Sequence, residues 1–126
     1  MTRYIIDSSA WMEYLGGTPR GNNIKQIIEG ESVACSIIAI AELADRFDRS
    51  SILFDDHFQF IKSRAVILPI TVHIALLAGK LKNAHRKKHP KFGLADAIHL
   101  ATAKEEHALI VTADTDFSGA ENILLI

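Results

Sequence analysis

The sequence contains one cysteine, three prolines and no apolar run longer than five residues. A single cysteine cannot form a disulfide within the chain, which excludes a disulfide-stabilised scaffold. Cys35, in the run SVACSII, is interpreted as a small buried hydrophobe. Runs such as YII and ALIV are far below the roughly 20 residues that span a bilayer. The first residues, MTRYIID, enter a strand pattern without the features of a secretory signal. We therefore expect no membrane segment and a cytoplasmic location.

Several common catalytic signatures are also missing. The segment GGTPRG does not follow a strand pattern and lacks the lysine of a phosphate-binding loop, and no GxSxG elbow surrounds the serines near the N-terminus. The six histidines are scattered without the spacing of a zinc site. His73, His99 and His107 are interpreted as ordinary partly buried or surface residues.

The composition is that of one globular domain, with 48% apolar and 23% charged residues in 126 positions. We predict a single domain over residues 1–126. Residues 80–91, KLKNAHRKKHPK, hold six of the 14 basic residues and no acidic one, so the rest of the chain has 15 acidic and eight basic residues. A basic segment on an acidic chain indicates either a polyanionic partner or a solvated basic helix end.

Apolar runs and helical periodicity alternate along the chain, which predicts an α/β fold with a mostly parallel sheet covered on both faces. After Ser36, a favoured cap, Ile37, Ile40, Ala41, Ala44 and Phe47 recur at helical spacing and predict the buried face of a helix. Phe54, Phe58 and Phe60 could belong to the core or to an interface. The expected strands are residues 3–6, 32–36, 65–70, 109–111 and 123–126, and the expected helices are 9–15, 22–29, 37–47, 52–63, 71–88 and the segment that holds Asp96, with a turn at 16–21.

Acidic residues lie just past the ends of two of the predicted strands. Asp7 follows YII, and Asp114 and Asp116 follow LIV in the segment TADTDF. Each could simply cap a helix or close an Asx turn. Ligands of parallel sheets bind beside the carboxyl ends of the strands, where the chain order reverses, so the same acids are candidates for a binding site.

Two further acids lie on predicted helices. Glu42 is adjacent to an apolar stripe and could pair with Arg46 one turn later. Asp96 has only apolar neighbours in GLADAIHLATA, where a lone charge is costly unless it is paired or bound to a cation. Several carboxylates around one crevice repel one another, and their hard oxygens suit Mg²⁺ or Mn²⁺. Such an ion activates water and stabilises displacement at a phosphate, while basic residues hold a polyanion.

With these residues in place, the chain resembles the PIN-domain family, and within it the small single-domain VapC-type toxins. The resemblance covers almost the full length. It rests on the order and spacing of four segments, YIIDSSAWMEYL, SIIAIAEL, GLADAIHLATA and LIVTADTDF. Many relatives carry Asn at the fourth acidic position, where this chain has Asp114.

The resemblance implies a three-layer α/β/α fold with four or five strands and a ribonuclease dependent on Mg²⁺ or Mn²⁺. Asp7, Glu42, Asp96 and Asp114 correspond to the acidic quartet that binds metal, with Asp116 as an auxiliary acid and Ser8 and Thr112 as supporting groups. It also implies a homodimer that binds a cognate antitoxin. The basic residues expected to hold RNA are Lys82, Arg86, Lys87, Lys88 and Lys91. A non-catalytic RNA-binding module with a structural ion, an RNA-processing nuclease and a phosphoryl-transfer domain are the alternatives.

Overall fold

The computed structural model describes residues 2–126, which form five strands and seven α-helices. In chain order they are β1 (Tyr4–Ile6), α1 (Ser8–Leu15), α2 (Pro19–Asn23), α3 (Lys25–Gly30), β2 (Val33–Ser36), α4 (Ile37–Arg49), α5 (Asp55–Arg64), β3 (Ala65–Leu68), α6 (Val72–His85), α7 (Leu94–Glu105), β4 (Leu109–Thr112) and β5 (Ile123–Leu125), with a 3₁₀ helix at Thr115–Phe117 before β5. None of the helices in these residues combines the length and the apolar character needed to cross a bilayer.

All strand pairs of the sheet are parallel, and the strand order is β3-β2-β1-β4-β5. The α/β class with a parallel sheet of five strands is therefore confirmed. The chain starts at β1, proceeds through β2 to β3 at one edge and then crosses to β4 and β5 on the other side of β1. The order therefore reverses between β1 and β4. Asp7 follows β1 and Thr112 ends β4 at this point, the position where parallel sheets bind ligands.

Successive residues of each central strand enter two separate cores, one on each face of the sheet. On β1, Ile6 joins the core under α1, α4 and α5, whereas Ile5 joins the core under α6 and α7. Cys35 is fully buried in the first core, as predicted, and burial raises the pKa of its thiol to about 12. Phe54 and Phe60 pack against the same core, and Phe58 is half-buried beside Phe54. The two cores produce the three-layer arrangement.

The helix α2 begins at Pro19, inside residues 16–21, where we predicted only a turn. The Thr18 side chain accepts a hydrogen bond from the Gly21 N–H at 3.0 Å, and Pro19 occupies the first helical position. Proline is favoured there because it has no N–H to leave unpaired. Gly21 is buried against α1, and a Cβ at this position would overlap the Glu13 carbonyl. The expected helix at 22–29 is thus split into α2 and α3.

Three other helix predictions need correction. The buried face of α4 consists of Ala39, Leu43 and Phe47, while Ile37, Ala41 and Ala44 are exposed. Both sets recur at helical spacing, and the set that contains Ala39 and Leu43 is buried because that side of the helix contacts the sheet. Helix α5 begins at Asp55 rather than residue 52. Helix α6 ends at His85, so the basic residues from Arg86 to Lys91 lie in the connection that follows it.

Candidate active site

Asp7 occupies the centre of the strand edge and is only 3% exposed. It caps α1: its Oδ1 accepts hydrogen bonds from the Ala10 N–H at 2.9 Å and from the Ser9 hydroxyl at 2.8 Å. Its Oδ2 accepts a hydrogen bond from the Thr112 hydroxyl at 2.7 Å. Burial raises the pKa of Asp7, against the opposing effects of nearby His99 and of these hydrogen bonds. Asp7 therefore caps α1 and also lies at the centre of the candidate site.

Ser9 and Thr112 connect the end of β1 to the end of β4. The Ser9 hydroxyl oxygen accepts the Ala113 N–H at 2.9 Å, and the Thr112 hydroxyl oxygen accepts the Asp114 N–H at 3.0 Å. Thr112 thus contacts both Asp7 and the backbone of Asp114. Ser8, predicted for the same role, makes no side-chain hydrogen bond within residues 2–126. Its neighbour Ser9 makes these contacts instead, because one residue of helix turns the side chain by about 100°.

Asp96 lies in the first turn of α7, where its Oδ2 accepts the Gly93 N–H at 2.8 Å. Asp96 therefore stabilises the start of α7 through Gly93 and also lies at the candidate site. Burial is the main cause that raises the pKa of Asp96, and the negative charges of Asp114 and Glu42 raise it further. The Gly93 hydrogen bond and His99 act in the opposite direction. The carboxylates of Glu42 on α4 and Asp114 after β4 are thus each close enough to Asp96 to repel its charge.

Glu42 pairs with His99 and not with Arg46, the partner considered from the sequence. Its Oε1 lies 2.7 Å from the His99 Nε2. His99 is 1% exposed, so the interpretation of this residue as ordinary missed a group that lies among the acids. One signal in the sequence could have found it. His99 follows Asp96 by three residues, which places both on one face of α7.

Asp114 and Asp116 lie in the turn after β4. Asp114 caps the 3₁₀ helix and accepts the Asp116 N–H at 2.8 Å, so the turn-forming role considered for it is realised. The Asp116 carbonyl accepts a hydrogen bond from the His85 Nε2 at 2.7 Å. Because His85 is the last residue of α6, this contact attaches the basic segment to the acidic turn.

The basic residues predicted to hold RNA differ in their availability. Lys87, Lys88 and Lys91 are exposed, whereas Lys82 is partly buried. The Arg86 guanidinium donates hydrogen bonds to the Pro90 carbonyl from Nε at 3.0 Å and from the terminal nitrogen at 2.8 Å. Arg86 therefore shapes the loop, and the lysines are the free cationic groups of this segment.

The donor set of the site fits a hard divalent cation in its chemistry. All the predicted ligands are carboxylates, and mutual repulsion of the kind seen at Asp96 is relieved by a cation. In the arrangement of residues 2–126, no group of three or more His, Cys, Asp or Glu side chains is placed to hold a metal ion. Asp7, Glu42, Asp96 and Asp114 each accept a hydrogen bond from a partner of their own.

The sequence profile of the PIN domain family matches residues 4–122. The chain belongs to the PIN domain family. A comparison with curated protein sequences finds no match.

Solved structures share the fold over nearly the whole chain. A toxin-antitoxin complex from Klebsiella pneumoniae is 24% identical, with a TM-score of 0.74 and coverage of 96% of this chain and 95% of that one. VapBC2 from Rickettsia felis, bound to a promoter DNA fragment, is 21% identical, with a TM-score of 0.77 and coverage of 99% and 98%. Mycobacterium tuberculosis VapC20, a sarcin-ricin loop cleaving toxin, is 16% identical, with a TM-score of 0.73 and coverage of 94% and 95%.

Proposed function

We propose that this chain is an endoribonuclease dependent on Mg²⁺ or Mn²⁺, of the VapC toxin type. The observation that carries the proposal is that Asp7 lies at the end of β1, where the strand order reverses, while Glu42 and Asp114 lie close enough to Asp96 to raise its pKa. These acids come from four different parts of the chain, and the fold gives no structural reason to bring two like charges close to Asp96. Membership of the PIN domain family and the fold shared with VapC toxins support the same reading.

Asp7, Glu42, Asp96 and Asp114 would hold the metal, with Asp116 as an auxiliary acid. A bound divalent cation lowers the pKa of a coordinated water and stabilises the charge that develops at a phosphate during in-line displacement. Thr112 and Ser9 keep the Asp7 carboxylate oriented through their hydroxyl groups. Hydrolysis by water needs no covalent intermediate on the protein.

The main rival is a non-catalytic PIN-like module that binds RNA and a structural ion, and cleavage of RNA separates the two. We expect the purified chain to cut end-labelled single-stranded RNA when Mg²⁺ or Mn²⁺ is present. Gel analysis of the products at increasing times would measure the rate. RNA that is bound but stays intact would contradict the nuclease and favour the module.

We place the RNA backbone at the connection between α6 and α7, because His85 attaches this segment to the acidic turn and its lysines are exposed. The double variant Lys87→Gln, Lys88→Gln should bind single-stranded RNA more weakly. It should also reduce the slope of log affinity against log salt by about 1.4, since each phosphate contact contributes about 0.7. Fluorescence anisotropy in EDTA, at several salt concentrations, measures both quantities without cleavage.

The matched control is Lys25→Gln, Lys62→Gln, which removes two exposed lysines from α3 and α5 in the opposite helical layer. This control should bind RNA like the parent. Equal slopes for the two double variants would contradict the assignment of the RNA interface.

We further propose a homodimer and a cognate antitoxin as partners. Helix α6 exposes Val72 and Leu76 one turn apart, at 78% and 69% exposure, and such apolar surface is typical of an interface. Light scattering, which measures the molar mass in solution, tests the dimer. Several structures that share the fold are toxin-antitoxin complexes, which supports an antitoxin. A small DNA-binding protein encoded in the neighbouring reading frame would favour a toxin over an RNA-processing nuclease.

A further inference from the structure

His99 and Glu42 form a hydrogen bond that joins the two helical layers of the fold. Helix α4, which carries Glu42, packs on one face of the sheet, and α7, which carries His99, packs on the other. The two side chains meet at the carboxyl edge of the strands, with His99 Nε2 2.7 Å from Glu42 Oε1. A carboxylate can only accept hydrogen bonds, so Nε2 carries the proton in this contact.

The rest of the imidazole has no polar partner. Its Nδ1 is buried and makes no hydrogen bond within residues 2–126. The neighbouring buried residues of α7 are Ala97, Leu100 and Ala101, among which an apolar side chain would avoid a buried polar atom without a partner. The Nε2 contact with Glu42 is therefore the interaction that distinguishes histidine from an apolar residue at this position.

Glu42 is the carboxylate that most needs orientation. It is about one-third exposed and has a longer, more flexible side chain than the three aspartates. The aspartates are held by backbone N–H groups close in sequence: Ala10 for Asp7, Gly93 for Asp96 and Asp116 for Asp114. Glu42 instead depends on His99, which contacts only its Oε1. The Glu42 Oε2 has no hydrogen-bond partner in the described part of the chain.

We propose that His99 is a positioning residue, whose Nε2–H holds Glu42 Oε1 so that this carboxylate stays available to a divalent cation at the acidic edge. The inference rests on the proposed function, since it assigns a role toward the cation of that site. Groups that hydrogen-bond to metal ligands affect metal affinity by about 10- to 100-fold when they are removed. His99 also lies near Asp7 and Asp96, on whose ionisation it acts.

Two substitutions separate the hydrogen bond from the packing. His99→Met keeps an apolar side chain of similar size without a donor, whereas His99→Gln can place an N–H near the position of Nε2. We expect H99M to weaken Mn²⁺ binding by at least about tenfold, and H99Q to stay within about threefold of the parent. Electron paramagnetic resonance of free Mn²⁺ measures the affinity, and the melting temperature in EDTA reports the fold.

A further variant, Glu42→Gln, tests whether His99 acts through Glu42. In that background H99M should have no additional effect on Mn²⁺ affinity, because the carboxylate that His99 orients is already lost. An undiminished tenfold effect of H99M beside E42Q would overturn the inference. So would H99M binding Mn²⁺ as tightly as the parent, or an equal loss in H99M and H99Q.

If H99M does not fold, the parent chain provides the deciding measurement. Long-range ¹H–¹⁵N correlation spectra of the imidazole should show the His99 proton on Nε2, with a resonance that moves in E42Q. A proton on Nδ1 and a bare Nε2 overturn the inference. If the parent chain binds no Mn²⁺, the metal dependence in the proposed function is wrong. If the parent and H99M bind Mn²⁺ equally, only the inference about His99 is wrong.

Discussion

The substitution Asp96→Asn is expected to slow RNA cleavage on the order of a thousandfold and to leave the fold intact. Asparagine removes the negative charge that the proposed metal site needs from this residue. Its amide oxygen can still accept the Gly93 N–H, so the first turn of α7 keeps the hydrogen bond now made by Asp96. Initial rates on end-labelled single-stranded RNA, at saturating Mn²⁺, measure the loss.

The matched control is Asp48→Asn, which makes the same chemical change at an exposed position near the far end of α4. This control should cleave RNA at the rate of the parent. Cleavage by D96N as fast as by the parent would show that Asp96 is not part of the active site.

Stability without metal provides an independent check on D96N. The pKa of Asp96 is raised above its ordinary 3.8, mainly by burial. Well below pH 3.8, the group binds a proton in the folded and unfolded states alike, so D96N and the parent should be similarly stable. As pH rises through the higher folded-state pKa, the parent loses stability that D96N retains, because an ionised Asp96 is unfavourable in the fold.

The free energy of unfolding of D96N, relative to the parent, should therefore increase from about pH 4 toward neutral pH and then level off. Urea unfolding in EDTA at several pH values measures this difference. A D96N variant that becomes less stable than the parent as pH rises would contradict the environment assigned to Asp96. The expected gain in stability also distinguishes loss of a metal ligand from loss of folding.

Saturating Mn²⁺ is expected to raise the melting temperature of the parent by roughly 10 °C, and EDTA should reverse the rise. At a hundredfold excess over Kd, a ligand that binds only the folded state stabilises it by about 2.7 kcal/mol, which corresponds to such a shift for a chain of this size. The physical source is the relief of repulsion among Asp96, Asp114 and Glu42. Differential scanning fluorimetry with and without Mn²⁺ measures the shift.

Most of this stabilisation should be lost in D96N and retained in the control Asp48→Asn. An unchanged melting temperature of the parent at high Mn²⁺ would show that the acidic edge does not bind the cation. A structural ion would also raise the melting temperature, so this measurement tests the metal site, and the cleavage rate tests catalysis.

The strand-end acids could be predicted because they depend on local features of the chain. Asp7 directly follows an apolar run that becomes a parallel strand, and Asp114 comes shortly after another. Parallel strands bring their carboxyl ends to one edge whatever the order of the strands. Asp96 could be found because a charge stands alone among small apolar residues at the start of a helix. These acids could be selected as site candidates from their residue type and from their position relative to a predicted strand or helix.

The supporting groups depend on rotation about a helix axis, which the sequence leaves undecided. Ser8 and Ser9 are adjacent and chemically identical, yet Ser9 is the one that reaches Asp7 and Ala113. The same limit applies to α4, where two sets of apolar residues share the helical period. The set that contains Leu43 is buried because the sheet lies on that side, which also leaves Glu42 near the strand edge.

Apolar periodicity and the placement of Asp7, Asp96 and Asp114 near the ends of elements follow from the chain alone, since each depends on residues close in sequence. The contact between Glu42 and His99 arises only when two helices on opposite faces of the sheet meet at its edge, 57 residues apart in the chain. Helical spacing relates His99 to Asp96, three residues earlier, but no local signal pairs His99 with Glu42 on another helix. The tertiary structure alone decides it, through the packing of both helical layers against one parallel sheet.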